Sequence, residues 1–224
     1  MIAKALAHNG ASKVYIAGRR PDVLSKAATE LGPDIVVPLV CDVTSEASLK
    51  AAAGVVTAEV GHLNLLVCNS GIGGPQAKEP AADDATTSAA DWAAVNLAHG
   101  FGEYVRTFEV NTAAVWYTTM AFLGLLEKGN AARNVAWSSQ VVVTSSIGGF
   151  NKKAPGGWAY GQSKAATNLL VKQLAVLLPR WNIRCVVFSP STRWLQCSDD
   201  LINYRANSIC PGCKYQTLVF PYVC

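Results

Sequence analysis

Residues 35–68 read IVVPLVCDVTSEASLKAAAGVVTAEVGHLNLLVC, and this stretch decides the fold. It opens on an apolar run, Ile35 to Cys41, long enough for a strand and too short for a buried helix. Ser45 stands where a helix needs a side-chain oxygen for its first amides, and Gly61 stands where that helix must stop after Val60. A second apolar run, Leu63 to Cys68, follows at once. Two such strands joined by a helix predict a parallel pair, buried on both faces and therefore without polar alternation.

The rhythm continues outward from this unit. Upstream, residues 2 to 9 read as the end of a helix stopped by Gly10, Val14 to Ala17 as a strand, and Pro21 to Leu31 as a helix closed by Gly32-Pro33. Downstream, residues 73 to 100 are rich in Ala, Asp, Pro and Gly and predict a loop with one short helix around Trp92. From Val105, apolar or small residues at 108, 112, 115, 119, 122 and 126 predict one long helix. Val141 to Thr144 reads as another buried strand, and Ala166, Leu170, Leu174 and Leu178 as the stripe of a helix that Pro179 closes. The expected fold class is α/β, a doubly wound parallel sheet covered on both faces.

Composition narrows the function. Half of the 224 residues are apolar and 15% are charged, which predicts a folded chain with a real core. The net charge of +4 is spread along the sequence without a basic run, so no nucleic-acid partner is expected. The longest strongly apolar stretch, Thr112 to Leu126, falls short of the roughly 20 residues that cross a bilayer, and charges break the first twenty residues, so a cytoplasmic protein with no membrane partner is expected. Cys41, Cys68 and Cys185 sit in apolar runs and read as reduced core thiols. Cys210-Pro-Gly-Cys213 has the spacing of half a metal site but no second pair, and no metal is expected.

The chemistry concentrates in residues 141–164. Tyr160 and Lys164 lie four apart at the start of a helix and share a face. A phenol with pKa near 10 needs about 4 kcal/mol in favour of its phenolate to work near pH 7, which a nearby ammonium in a poorly solvated cleft helps to supply. The strand Val141 to Thr144 runs into Ser145-Ser146, placing a hydroxyl at the carboxyl end of a parallel strand, where open α/β sheets bind ligands. Fourteen residues separate Ser146 from Tyr160 across a loop with Gly148, Gly149, Pro155, Gly156 and Gly157.

Val-Thr-Ser-Ser-Ile-Gly-Gly followed by Tyr-x-x-x-Lys resembles the catalytic segment of short-chain dehydrogenases/reductases, nicotinamide oxidoreductases with a Rossmann-like fold. Three more segments match in order. Cys41-Asp42-Val43-Thr44 resembles the strand end whose Asp meets the adenine ring, Asn69-Ser70-Gly71-Ile72 resembles the Asn-Asn-Ala-Gly turn beside the cofactor, and Asn111 resembles the helix asparagine that holds a water of the proton relay. The resemblance implies that Tyr160 exchanges a proton with the substrate oxygen, that Ser146 orients that oxygen, and that Lys164 holds the nicotinamide ribose. A small-molecule ketone or secondary alcohol is the implied substrate, and a homo-oligomer built through the two long helices is the implied assembly. In Gly18-Arg19-Arg20 the acid that would bind an NAD ribose is absent and two cations follow, so NADP(H) is expected over NAD(H), with Arg19 as the contact.

The ends depart from that pattern. Met1 to Leu6 resembles the helix after the family's glycine-rich turn, so the first strand and that turn are missing, and the two strands that would flank the first strand are expected to expose unpaired backbone or to close up. Two stretches compete for the strand after Asn182, namely 184–190 and 205–212, and the second matches the family better. Residues 185–205 therefore read as an insertion in an irregular tail, 185–224, that follows a partial dinucleotide-binding domain, 1–184. The insertion and residues 213–224 read as translated intron, and the last strand and the substrate lid are expected to be absent. Two functions stand side by side: an NADP(H)-dependent oxidoreductase with Tyr acid/base catalysis, or a truncated, catalytically inactive fragment or interaction module.

Overall fold

The computed structural model describes residues 2–77, 79–81, 83–190 and 215–220. Its elements run α1 (Ile2–His8), β1 (Ala11–Gly18), α2 (Pro21–Leu31), β2 (Val36–Val40), α3 (Glu46–Glu59), β3 (Leu65–Cys68), α4 (Ala89–Ala98), α5 (Gly100–Phe108), a π turn (Glu109–Ala113), α6 (Ala114–Ala132), β4 (Gln140–Thr144), α7 (Trp158–Leu177), β5 (Arg184–Phe188) and β6 (Tyr215–Phe220). The local signals operate as the sequence implies. Gly10 adopts φ +88° after α1, Pro21 begins α2, and the Ser45 side chain accepts from the Ser48 amide at the head of α3. Strand β3 starts two residues after Leu63, and just before it the Asn64 side-chain amide donates to the Asn134 side-chain carbonyl at 3.0 Å.

The sheet is parallel throughout, in the order β2-β1-β6-β3-β4-β5. Alternate residues of each strand feed two cores. Tyr15, Leu66, Val141 and Val143 pack with Leu49, Val56, Phe122, Leu126 and Leu174 under α3, α6 and α7. Val14, Ile16 and Val67 pack with Leu24 and Ala28 under α1 and α2, with Trp137 and Val142 alongside. Helices on both faces are what drives each strand to be apolar on both sides, at roughly 1.5–3 kcal/mol for each large side chain removed from water.

Four features differ from the sequence reading. The predicted single helix from Val105 is two helices joined by the π turn Glu109–Ala113, which adds one residue to a turn and rotates the buried face. In α7 the buried face runs through Ser163, Lys164, Thr167, Asn168, Val171 and Leu174, leaving Ala166 and Leu170 at its margin. Of the two candidate strands, Arg184–Phe188 pairs with β4 in parallel, while 205–212 lies outside the described residues. Most consequential is β6. It enters between β1 and β3, pairing with Ala11–Ile16 on one side and Leu65–Cys68 on the other, so the two strands expected to lack a neighbour have one. No described helix is long and apolar enough to cross a membrane.

Candidate active site

The carboxyl ends of β1, β2, β3 and β4 present the site residues along one edge of the sheet, in two groups. The first follows β3 and β4. Strand β4 delivers Thr144, Ser145 and Ser146, all buried. The Ser145 hydroxyl donates to the Lys164 carbonyl at 3.2 Å and its amide donates to Phe188 of β5 at 2.7 Å, which fixes the strand end against α7. Ser146 caps a short 3₁₀ turn, its hydroxyl accepting from the Gly148 amide at 3.1 Å. The hydroxyl keeps its own proton for another acceptor.

Tyr160 and Lys164 lie on the first two turns of α7. The Lys164 side chain is buried, with Nζ donating to the Thr144 carbonyl at 2.9 Å and standing 5.8 Å from the centre of the Tyr160 ring. Burial holds the ammonium well below its ordinary value, to about 8. Glycines make room for the phenol. A Cβ on Gly148 would stand 3.4 Å from both the Ser146 hydroxyl and Cε1 of Tyr160, and one on Gly156 would stand 3.0 Å from Cδ1. The Ser146 hydroxyl and the edge of the Tyr160 ring thus flank Gly148, with the Lys164 ammonium 5.8 Å from the ring centre. The Thr144 hydroxyl is buried without a protein partner.

Asn111 sits in the π turn and is wholly buried. Its carbonyl accepts from the Ile72 amide at 2.8 Å, and its amide donates to the Ile72 carbonyl and to the Ser163 hydroxyl, each at 2.9 Å. Ser163 in turn donates to the Tyr160 carbonyl at 2.8 Å. The turn Asn69-Ser70-Gly71, ending β3, is thereby tied to the helix that carries Tyr160. Sequence reasoning missed Ser163 and Thr167, which donates to the Asn111 carbonyl at 2.8 Å, because an apolar stripe was sought on α7 and the working face is polar. It also missed Gln76, whose amide donates to the carbonyls of Gly73, Gly74 and Gly156 and so clamps the loop after β3 beside the phenol.

The second group follows β1 and β2. Asp42 accepts from the Thr44 amide at 2.9 Å and hydroxyl at 2.7 Å. Burial alone would raise its carboxyl; the Thr44 bonds and the nearby Arg19 and Arg106 guanidiniums outweigh that and hold it below the usual carboxylate range. Val43 lines a shallow apolar notch with Cys68, Ser70, Val110 and Ala114, bridging the two groups. Arg106 on α5, which the sequence reading did not single out, donates to the Thr44 hydroxyl at 3.4 Å and pairs with Glu109 at 2.7 Å.

A nicotinamide dinucleotide fits the two ends of this edge. The cationic and apolar groups around Val43 suit an adenosine phosphate, and the buried Lys164 ammonium with the unpartnered Thr144 hydroxyl suits a polar ribose. Between them lies β6. Buried Cys41, Cys68 and Cys185 are free thiols, Cys68 and Cys185 pushed up to about 12 by burial, and the other four cysteines lie outside the described residues.

Comparison with known proteins shows the family. The family model described as short chain dehydrogenase matches residues 1–193. The chain is 39% identical over 191 residues to the short-chain dehydrogenase/reductase PhomF of Diaporthe leptostromiformis, an alignment that takes in 85% of this chain and 64% of that protein. It is 39% identical over 211 residues to VdtF of Byssochlamys spectabilis, another short-chain dehydrogenase/reductase, over 85% and 68% respectively. The chain thus spans less than two thirds of the length of PhomF. Among solved structures, an NADPH-bound carbonyl reductase from chicken fatty liver is similar at a TM-score of 0.60 and 26% identity, over 80% of this chain and 68% of that one. With the family model across most of its length and its sequence motifs gathered at one sheet edge, the chain belongs to the short-chain dehydrogenase family.

Proposed function

We propose that this protein is an NADP(H)-dependent oxidoreductase that interconverts a ketone and a secondary alcohol, with Tyr160 as the acid/base. The observation that carries the proposal is the buried Lys164 ammonium, bonded to the Thr144 carbonyl and 5.8 Å from the Tyr160 ring centre. When bound, the nicotinamide supplies or accepts the hydride. The chain's own groups manage the oxygen. Ser146 donates a hydrogen bond to the carbonyl and orients it. Tyr160 gives its phenolic proton to that oxygen as charge builds there, and the Lys164 ammonium lowers the cost of the phenolate left behind. Asn111 serves from behind, holding the turn after β3 and, through Ser163, the Tyr160 backbone. The preference for NADP(H) rests on Arg19, within electrostatic reach of Asp42 at the end of β1, and on the NADPH carried by the similar carbonyl reductase.

The test follows absorbance at 340 nm with NADPH and a panel of small ketones. Turnover is expected, with Tyr160→Phe lowering kcat about 10²–10⁴-fold while the fold is kept. Unchanged turnover in Tyr160→Phe would remove the mechanism. Arg19→Glu is expected to narrow or invert the NADPH/NADH ratio of kcat/KM. Copies of the chain are proposed to pair through α6 and α7, whose outward faces carry Tyr117, Leu169 and Val176, all more than half exposed; sedimentation of Leu169→Glu against the unaltered chain checks this.

A further inference from the structure

We propose that Gln76 is a positioning residue for Tyr160, acting through the backbone of Gly156; this rests on the reading of Tyr160 as the acid/base. One edge of the Tyr160 ring lies between two glycines. A Cβ on Gly148 would stand 3.4 Å from Cε1 and 3.6 Å from Cδ1, and one on Gly156 would stand 3.5 Å and 3.0 Å from the same two atoms. The places of these two backbones therefore set how far the ring can swing. Gly148 is held by its amide on the Ser146 hydroxyl, within its own turn. Gly156 has no side chain to anchor it, and Gly157 after it takes φ +89°, a conformation that leaves the segment before α7 few restraints of its own. What holds Gly156 comes from the loop after β3. The Gln76 side-chain amide donates to the Gly156 carbonyl at 2.9 Å, and to those of Gly73 at 3.1 Å and Gly74 at 3.2 Å, so two hydrogens are shared among three acceptors on two loops. The loops also touch: a Cβ on Gly157 would run into the Pro75 carbonyl and stand 2.9 Å from Nε2 of Gln76. The loop after β3 is itself fixed, because both backbone groups of Ile72 are bonded to the buried Asn111 side chain. A line of contacts thus runs from the π turn through Ile72, Gln76 and Gly156 to the phenol ring, and Gln76 is its exposed link.

Steady-state kinetics of the full chain, with NADPH and the ketone of the panel above that turns over fastest, test this. Gln76→Ala is expected to lower kcat about tenfold with KM held within about twofold, because a misplaced phenol impairs the proton transfer rather than binding. In a Tyr160→Phe background the same change should leave the residual turnover as it is, since no hydroxyl remains to be placed. Gln76→Glu keeps the size of the side chain but sets a carboxylate against three carbonyls. At about pH 8 it should lose at least as much as Gln76→Ala, and relative to the unaltered chain it should regain part of that loss toward about pH 5, where the protonated carboxyl can donate to Gly156 again. Gln76→Ala should show no such recovery. Unchanged kcat in Gln76→Ala would overturn the assignment, as would full activity of Gln76→Glu at pH 8, which marks size rather than donation as the cause. An equal loss with and without the Tyr160 hydroxyl would overturn it too, because the effect would then not pass through the phenol. An unaltered chain that reduces no ketone, or Tyr160→Phe as active as its parent, removes the acid/base reading and this one together. An active unaltered chain that needs Tyr160 but is indifferent to Gln76→Ala removes the Gln76 role alone.

Discussion

Burying the Lys164 ammonium costs the folded state stability, and the sign of that cost is measurable. Its value falls from an ordinary 10.5 to about 8 through desolvation, which is about 3 kcal/mol against the charged form. Below pH 8 the amine is charged in both states and the folded chain carries the whole penalty. Between about 8 and 10.5 the unfolded chain binds a proton that the folded chain has shed, so this residue's contribution to stability rises with pH. Lys164→Met is therefore expected to raise the melting temperature at pH 7 and to raise it less at pH 10, even after losing the bond to the Thr144 carbonyl, and to abolish turnover. An equal gain at both pH values would show that the penalty is not one of charge. For activity the same titration runs the other way: in the reducing direction kcat/KM should fall as pH rises through about 8, where the ammonium that supports the Tyr160 phenolate is lost. Gly156 acts on the same phenol by shape. Gly156→Ala brings a methyl to 3.0 Å from the ring, and is expected to lower kcat about tenfold by displacing the hydroxyl, with little change in melting temperature.

Among the elements, the π turn decides how the site is assembled. Without its extra residue, Asn111 would interrupt an apolar stripe; with it, Asn111 is buried and both ends of its amide find partners on Ile72 and Ser163. Ser163→Ala leaves that amide one acceptor short and should cost about 1–3 kcal/mol in a denaturant titration, with Ser163→Thr restoring part of it. The same turn shows where the sequence was readable. Helix α2 and the Ser45 cap of α3 follow from local signals, since proline, glycine and short hydroxyls act within a turn of where they stand. The strands β2, β3 and β4 follow from apolar length. Tyr160, Lys164 and Ser146 were legible because their spacing is short and one strand and one helix place them. A π turn has no such signature, and the polar face of α7 contradicts the apolar stripe that periodicity seeks. Thr167, Ser163 and Arg106 became visible only once distant segments were brought together.

At the scale of the molecule, the two halves of the site meet across a strand from the other end of the chain. Arg19 and Asp42 follow β1 and β2, whereas Asn69, Ser146 and Tyr160 follow β3 and β4, and β6 lies between. The segment Tyr-Gln-Thr-Leu-Val-Phe is rich in residues that favour strands, but it lies past the 193 residues that the family pattern matches, so resemblance gave it no place. Its pairing explains why β1 and β3, buried on both faces, leave no row of backbone groups unpaired between them. Leu218 pairs with Tyr15 on one side and with Leu66 on the other. Leu218→Pro removes an amide from the middle of the sheet and should lower stability by about 3 kcal/mol or more, which guanidinium titration reads. Hydrogen exchange then locates the effect. In the unaltered chain the amides of 215–220 should exchange as slowly as those of 65–68, and in Leu218→Pro those of β1 and β3 should speed up together while those of α7 change least. A variant as stable as its parent, with fast exchange over 215–220 in both, would mean that the central strand is dispensable and that the spacing of the two half-sites is set by the helices instead.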